Sequence, residues 1–287
     1  MLEFLRGSRR AGIDRVATDR DQKGWSEYAA YRPDLLPPLE LMEREQVRVL
    51  EDWFAWADEW RTLLRLYGGL KNSSIVLEIG CGLGRIAYAL RDYLVLGGGR
   101  FHGFDICKYK ITFLHNTFEP HFPNFKFTHV DVHNTTYNPG GKIKASQFTF
   151  PYENEGFGIV YAASVFTHML PENVERYFHE AARVLRPGGR CVFSFFLMDY
   201  YRPGQARPFS FNLPYFNLDH YFDRYGRDFA TAQPDNPEDM TGFRSSWLES
   251  KGRDAGLFIV HPILPGLWSG SHDSWVGAQD IIIFEKH

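Results

Sequence analysis

The 287-residue sequence has few cysteines, no long apolar run and no surplus of either charge, and each shortage excludes something. Cys81, Cys107 and Cys191 stand at wide, unmatched spacings that make neither a zinc site nor a secreted disulfide framework. A reducing, cytoplasmic setting fits them. No stretch of about 18 apolar residues occurs, so no membrane-spanning helix is expected, and the apolar part of "MLEFLRGSRRAG" is too short for a signal peptide. With 32 basic and 35 acidic residues, the formal net charge of −3 supplies no global attraction for a polynucleotide or an anionic membrane. The expected partner is a small molecule, with no nucleic acid and no integral membrane association; the oligomeric state is not legible. Internal repeats and low-complexity tracts are also missing.

What is present is a change of periodicity. Leu50, Trp53, Phe54, Ala57, Trp60 and Leu64 recur at three and four positions, which predicts a long helix in an N-terminal extension over residues 1–69. From residue 70 onward, short β-branched or aromatic runs alternate with helical ones, as in βα units feeding a parallel sheet. Strands are expected at 75–79, 100–104, 125–130, 158–162, 190–196, 258–263 and 281–284. The segment at about 198–240 is too long for an ordinary connection and dense in aromatics and prolines, so it reads as a cover over a substrate site.

"VLEIGCGLGR" (76–85) places three glycines in five positions between an apolar strand and a helix. Such a turn lets backbone N–H groups approach a ligand at a helix N-terminus. The spacing departs from the G-x-G-x-x-G of dinucleotide sites, because the third glycine is Gly84 and Arg85 follows it.

The run Glu78-x-Gly80-x-Gly82-x-Gly84 resembles motif I of class I S-adenosylmethionine-dependent methyltransferases, and the remainder of the chain follows in order. "HGFDI" puts Asp105 where that family's second strand ends in an acid for the ribose hydroxyls. "FKFTHVDVHN" puts Asp131 where an acid meets the adenine amino group. "ARVLRPGGRCVF" resembles post-motif III, with Pro187, Gly188 and Gly189 making the turn, and the last two runs suit the antiparallel sixth and seventh strands. The resemblance spans about 73–287. It implies an α/β, Rossmann-like, seven-stranded, mostly parallel sheet with an antiparallel last strand, helices on both faces, and a lid inserted between the fifth and sixth strands. It also implies S-adenosyl-L-methionine as cofactor, held by Glu78, Gly80, Cys81, Gly82, Gly84, Asp105, Ile106, Asp131, Val132 and Ser164. In this reading the glycines keep side chains away from the methionine and ribose portion of the ligand, and Glu78 positions the loop or a ligand amine.

The acceptor is chosen elsewhere. "AASVFTHML" follows the fourth strand in place of the Asp/Asn-Pro-Pro-aromatic motif of many amino-methylating relatives, and "LPENVERYFHEA" reads as a helix start. His168 lies just beyond that strand, where an imidazole has a suitable pKa to take a hydroxyl proton; packing beneath the cofactor is the plainer alternative. Asp219 and His220 on the presumed lid are further candidates, with simple surface placement as their alternative. His129, Asp131 and His133 alternate as a metal face would, yet Asp131 has a better role and no metal is expected. Lys142 and Lys144 read as solvated, with an anionic acceptor as the alternative. The aromatic residues either line an acceptor pocket or fill the core, and for Trp53, Phe54 and Trp60 core is the favoured reading. A looser likeness to bacterial glycan- and glycolipid-tailoring methyltransferases points to an O-methyltransferase acting on a sugar hydroxyl. An N- or carboxyl-methyltransferase of a natural product and a non-catalytic cofactor-binding scaffold are the alternatives.

Overall fold

The computed structural model describes residues 31–45, 47, 49–202 and 217–287. Residues 1–30 of the expected N-terminal extension and part of the expected lid, 203–216, lie outside the described residues. The chain divides into two compact units between Ala55 and Trp56, and the second contains the sheet. Helix α1 (Leu39–Arg44) precedes α2 (Leu50–Leu66). Along α2 the predicted face holds: Ala57, Trp60 and Leu64 are buried.

Strands and helices then alternate: β1 (Ile75–Ile79), α3 (Arg85–Gly97), β2 (Arg100–Asp105), α4 (Lys108–Thr117), β3 (Phe125–His129), β4 (Phe157–Ala162), α5 (Pro171–Val184) and β5 (Leu185–Phe195). After the insertion, which carries the hairpin β6 (Phe229–Thr231) and β7 (Thr241–Phe243), come α6 (Ser245–Asp254), β8 (Leu257–Ile259) and β9 (Asp280–Lys286). Seven strands form one sheet in the order β3-β2-β1-β4-β5-β9-β8. The first five pair in parallel, and β9 runs antiparallel to both of its neighbours. The sixth and seventh strands of the sheet are therefore antiparallel to each other, and only the last is reversed against the first five.

Several strand boundaries differ from expectation, three of them with a backbone cause. The sixth strand stops at Ile259 instead of reaching 263; Val260 still donates to Ile283, and then Pro262 has no N–H to continue a ladder. The fifth strand begins directly at the end of α5, and Pro187, Gly188 and Gly189 form a bulge inside it instead of a turn before it. Pairing jumps from Phe157 opposite Leu185 to Ile159 opposite Arg190, with Gly188 at φ +70°. The third strand ends at His129, so His129, Asp131 and His133 do not share one strand. Beyond it the Asp131 carbonyl turns to accept the N–H groups of Lys142 and Ile143, both at 3.0 Å.

The aromatics are mostly core. Phe166, Phe178, Phe193, Phe195 and Phe284 are fully buried, with Phe166 stacked on Phe195 at 5.2 Å and Phe178 edge-on to Phe284 at 5.4 Å. Each such side chain contributes roughly 1.5–3 kcal/mol of burial free energy. Trp60 lies 5.8 Å from Tyr161 on β4, so it too packs on the sheet. A smaller core joins Met198, Tyr201, Leu218 and Ala230 of the insertion to Phe196 at the end of β5 and to Trp268 in the β8–β9 connection. Among the described residues no helix is long and apolar enough to cross a membrane.

Candidate functional site

The predicted ligand residues converge at the carboxyl ends of β1, β2 and β4, where the strand order reverses beside β1. That edge is where open parallel sheets hold their ligands. β1 leads into Gly80, Gly82 and Gly84, all in the left-handed region at φ +69°, +54° and +79°. A Cβ at Gly80 would come within 2.6 Å of Val165 Cγ2, and one at Gly84 within 2.6 Å of Leu114 Cδ2. At Gly82 it would meet open space. Two of the three glycines are thus demanded by protein packing as well as by backbone conformation, and only Gly82 leaves room that a ligand can use.

The loop is tied to β2. Gly80 and Cys81 donate to the Phe104 carbonyl at 2.9 and 3.0 Å, and Asp105 Oδ2 accepts the Gly82 N–H at 2.8 Å. Asp105 Oδ1 accepts the Cys107 N–H at 2.8 Å, and the residue is 6 % exposed. Each carboxylate oxygen keeps a second lone pair. Cys81 packs against Gly103, and burial pushes its thiol pKa well up, so the side chain stays a neutral wall.

Glu78 is the least comfortable residue of the site. It is buried on β1 with Tyr161 as its register partner on β4. Burial raises its pKa well above the ordinary carboxylate range, while the Tyr161 hydroxyl and the Arg85 guanidinium favour the ionised form. Glu78 Oε2 and the Tyr161 hydroxyl nevertheless lack a partner in hydrogen-bond geometry. A buried orphan oxygen is costly unless something supplies a donor.

Beyond β4 the chain turns through Ser164, a non-glycine residue at φ +57°. Its N–H donates to Ser194 Oγ at 2.8 Å, and its hydroxyl accepts from Gln279 Nε2 at 2.8 Å. The turn delivers His168. Nδ1 of His168 lies 2.6 Å from the Asp239 carbonyl, which can only accept, so Nδ1 carries the proton and Nε2 a lone pair. The Tyr137 hydroxyl faces Nε2 at 3.4 Å, and Asn134 Nδ2 donates to the His168 carbonyl at 3.2 Å. Burial lowers the His168 pKa, the Asp239 and Glu238 backbone opposes that, and Lys110 adds to it. At neutral pH the imidazole is uncharged.

The other expectations separate. Asp131 and Val132 follow β3 within a turn closed by Asn138 Nδ2 on the Val132 carbonyl at 2.9 Å, and the Ile106 carbonyl engages His129 Nε2 at 3.2 Å. Asp219 and His220 are exposed and 3.6 Å from each other, the surface placement. Lys142 and Lys144 are exposed. Tyr137, Tyr161, Glu238, Asp239 and Gln279 escaped the sequence reading. Tyr137 alone had a local cue, the Asn134 side chain accepting from the N–H groups of Thr136 and Tyr137. Beside the first turn of α5 a groove of about 410 Å³ is lined by Glu172, Glu175, Arg224, Tyr225, Phe229 and Trp247.

Comparison with known proteins agrees with this arrangement. Residues 77–193 match the family described as a methyltransferase domain. PH0226 protein from Pyrococcus horikoshii is similar in fold: TM-score 0.51 and 14% identity, over 92% of this chain and 99% of that one. An S-adenosylmethionine-dependent methyltransferase from Mesorhizobium loti is also similar, with TM-score 0.50 and 14% identity over 79% of this chain and 97% of that one. The family match covers residues 77–193, and the likeness to the two solved structures is one of fold.

Proposed function

We propose that the protein transfers a methyl group from S-adenosylmethionine to a hydroxyl of a small molecule, preferably on a sugar or glycolipid, with His168 as the general base. The observation that carries this reading is the bond from His168 Nδ1 to the Asp239 carbonyl at 2.6 Å. It leaves Nε2 unprotonated, and the lowered pKa keeps it so at neutral pH. A hydroxyl needs such a base as it becomes a nucleophile, and general-base help is worth about 10²–10⁴-fold. The groove beside α5 supports the sugar preference, since Trp247 and Tyr225 line it with aromatic surface while Glu172 and Glu175 can accept from hydroxyls.

The residues fit the cofactor on features of their own. The orphaned Glu78 Oε2 suits an ammonium group, the space over Gly82 admits a ligand against the backbone, and the spare lone pairs of Asp105 suit a ribose diol. Ile106, Asp131, Val132 and Ser164 would complete the cradle. When bound, the sulfonium supplies an already electrophilic methyl group. The chain's own task is to orient the acceptor, exclude water and receive one proton at His168 Nε2. Residence in a reducing cytoplasm accords with three buried cysteines that make no disulfide among the described residues.

The test is calorimetric titration with S-adenosylmethionine for wild type and Asp105→Ala, followed by a panel of glycosides assayed for release of S-adenosylhomocysteine by wild type and His168→Asn. Binding lost in Asp105→Ala, and turnover lost in His168→Asn, are expected. Unaltered turnover in His168→Asn would point to a carboxylate or amine acceptor. Cofactor binding without turnover on any acceptor would make the protein a binding scaffold.

A further inference from the structure

The strongest unassigned feature is a set of hydrogen bonds that fastens the insertion to the loop after β3 and to the start of α5. Glu238 is 6 % exposed, although it belongs to the nine-residue connection between β6 and β7, which is rich in polar residues. Its Oε2 accepts the Thr135 N–H at 2.9 Å and lies 3.0 Å from Thr135 Oγ1, whose single proton is shared with Asn236 Oδ1 at 2.6 Å. Its Oε1 accepts from Asn173 Nδ2 at 3.3 Å. Asn236 Nδ2 donates to Thr136 Oγ1 at 2.9 Å, and Thr231 Oγ1 reaches the Pro237 and Met240 carbonyls at 3.0 and 2.9 Å. The next carbonyl after Glu238 is that of Asp239, the one that holds His168 Nδ1.

We infer that Glu238 is a positioning residue: by clamping its turn onto Thr135 and Asn173, it holds the Asp239 carbonyl against His168 and thereby selects the Nδ1–H tautomer of the base. The inference rests on His168 being the base. An unconstrained histidine exchanges its proton between the two ring nitrogens, and the partner of one nitrogen decides the state of the other. Here a backbone carbonyl, 71 residues away in sequence, makes that choice. The consequence falls on Nε2, which presents its lone pair toward the Tyr137 hydroxyl, the place an acceptor hydroxyl would take. A carboxylate suits the clamp better than an amide, because all three groups it meets, one backbone N–H, one hydroxyl and one amide NH₂, can donate to it. The insertion therefore acts on the chemistry through a hydrogen bond.

The charged and titratable groups facing His168 are Lys110 from α4, Tyr137 from the loop after β3, and Glu238 and Asp239 from the insertion. The experiment is imidazole ¹⁵N–¹H correlation NMR on the cofactor-free, full-length protein as a function of pH, with His168→Asn to assign the resonance. Wild type should show an Nδ1–H tautomer and a midpoint below the ordinary 6.5. In Glu238→Ala the Nε2–H form should become populated and the midpoint should shift, as the ring exchanges the Asp239 carbonyl for water; Glu238→Gln, which keeps an acceptor for Thr135, should retain most of the Nδ1–H form. Should Glu238→Ala not fold, Asn173→Ala and Thr135→Val each remove one donor and should give smaller shifts in the same direction. An unchanged tautomer and midpoint in the folded variants would overturn the inference. Failure of the base reading shows instead as retained turnover in His168→Asn, a separate measurement.

Discussion

Asp105 Oδ2 and the Gly82 N–H, 23 residues apart in the chain, meet at 2.8 Å, so the acid proposed for the ribose hydroxyls also braces the glycine loop. Its other oxygen holds the Cys107 N–H. Asp105→Ala would leave two backbone donors short of partners at about 1–3 kcal/mol each where water does not replace the acid. A lower melting temperature should accompany the lost cofactor affinity. Thermal melts and calorimetry on one sample separate the two effects; a folded variant that binds S-adenosylmethionine as wild type does would remove Asp105 from the ligand site.

The three glycines should respond differently to alanine. Gly84→Ala puts a methyl 2.6 Å from Leu114 Cδ2 at φ +79° and should cost about 2 kcal/mol or more, combining left-handed strain with overpacking. Gly82→Ala, at φ +54° with open space, should cost only about 1–2 kcal/mol yet weaken cofactor binding at least as much. Equal stability loss with no affinity loss at Gly82 would contradict the proposed use of that space. Chemical denaturation paired with titration supplies both numbers.

Glu78→Gln separates burial from binding. Because burial raises the folded pKa above the unfolded value, the native state holds its proton more tightly. Stability from this group is present at low pH and falls as pH rises through the folded pKa. A neutral amide abolishes that slope, so Glu78→Gln should be at least as stable as wild type at neutral pH. It should bind S-adenosylmethionine at least tenfold more weakly, having lost the charge opposite the ammonium. Undiminished affinity would place the ammonium elsewhere.

Asp280 reports on the insertion's footing. It is fully buried where β9 begins, and its carboxyl accepts from the N–H groups of Leu197 and Gly266 and from Trp268 Nε1 at 2.9, 2.7 and 2.5 Å. Burial outweighs these donors and raises its pKa from 3.8 to about 7. The sign again favours the protonated native form, so this contribution declines by up to about 1.4 kcal/mol per pH unit between those values and is gone above about 7. Asp280→Asn should lose an acceptor yet flatten that decline. Denaturation midpoints of both proteins across this interval should therefore converge as pH rises; parallel curves would refute the assignment.

The βα alternation, the glycine loop and Asp105 were legible in the sequence because each is a short-range pattern: a strand, its turn and the next helix occupy consecutive residues. The family resemblance ordered those pieces, and the parallel ladders bear the order out. Boundaries slipped where backbone chemistry outweighed side-chain pattern, as at Pro262 and at the bulge of Pro187, Gly188 and Gly189.

By itself the sequence determined the fold class and the strand ends around which the glycine loop and Asp105 gather, since periodicity and glycine spacing are local properties. Only the tertiary structure decided that Gly80 and Gly84 are required by Val165 and Leu114, that Glu78 is left with an orphan oxygen beside Tyr161, and that His168 has its tautomer chosen by Asp239. Those relationships join residues tens of positions apart, and Glu238 reaches Thr135 across 103 residues. No local pattern encodes them, because a hydrogen bond depends on where the fold places its two ends.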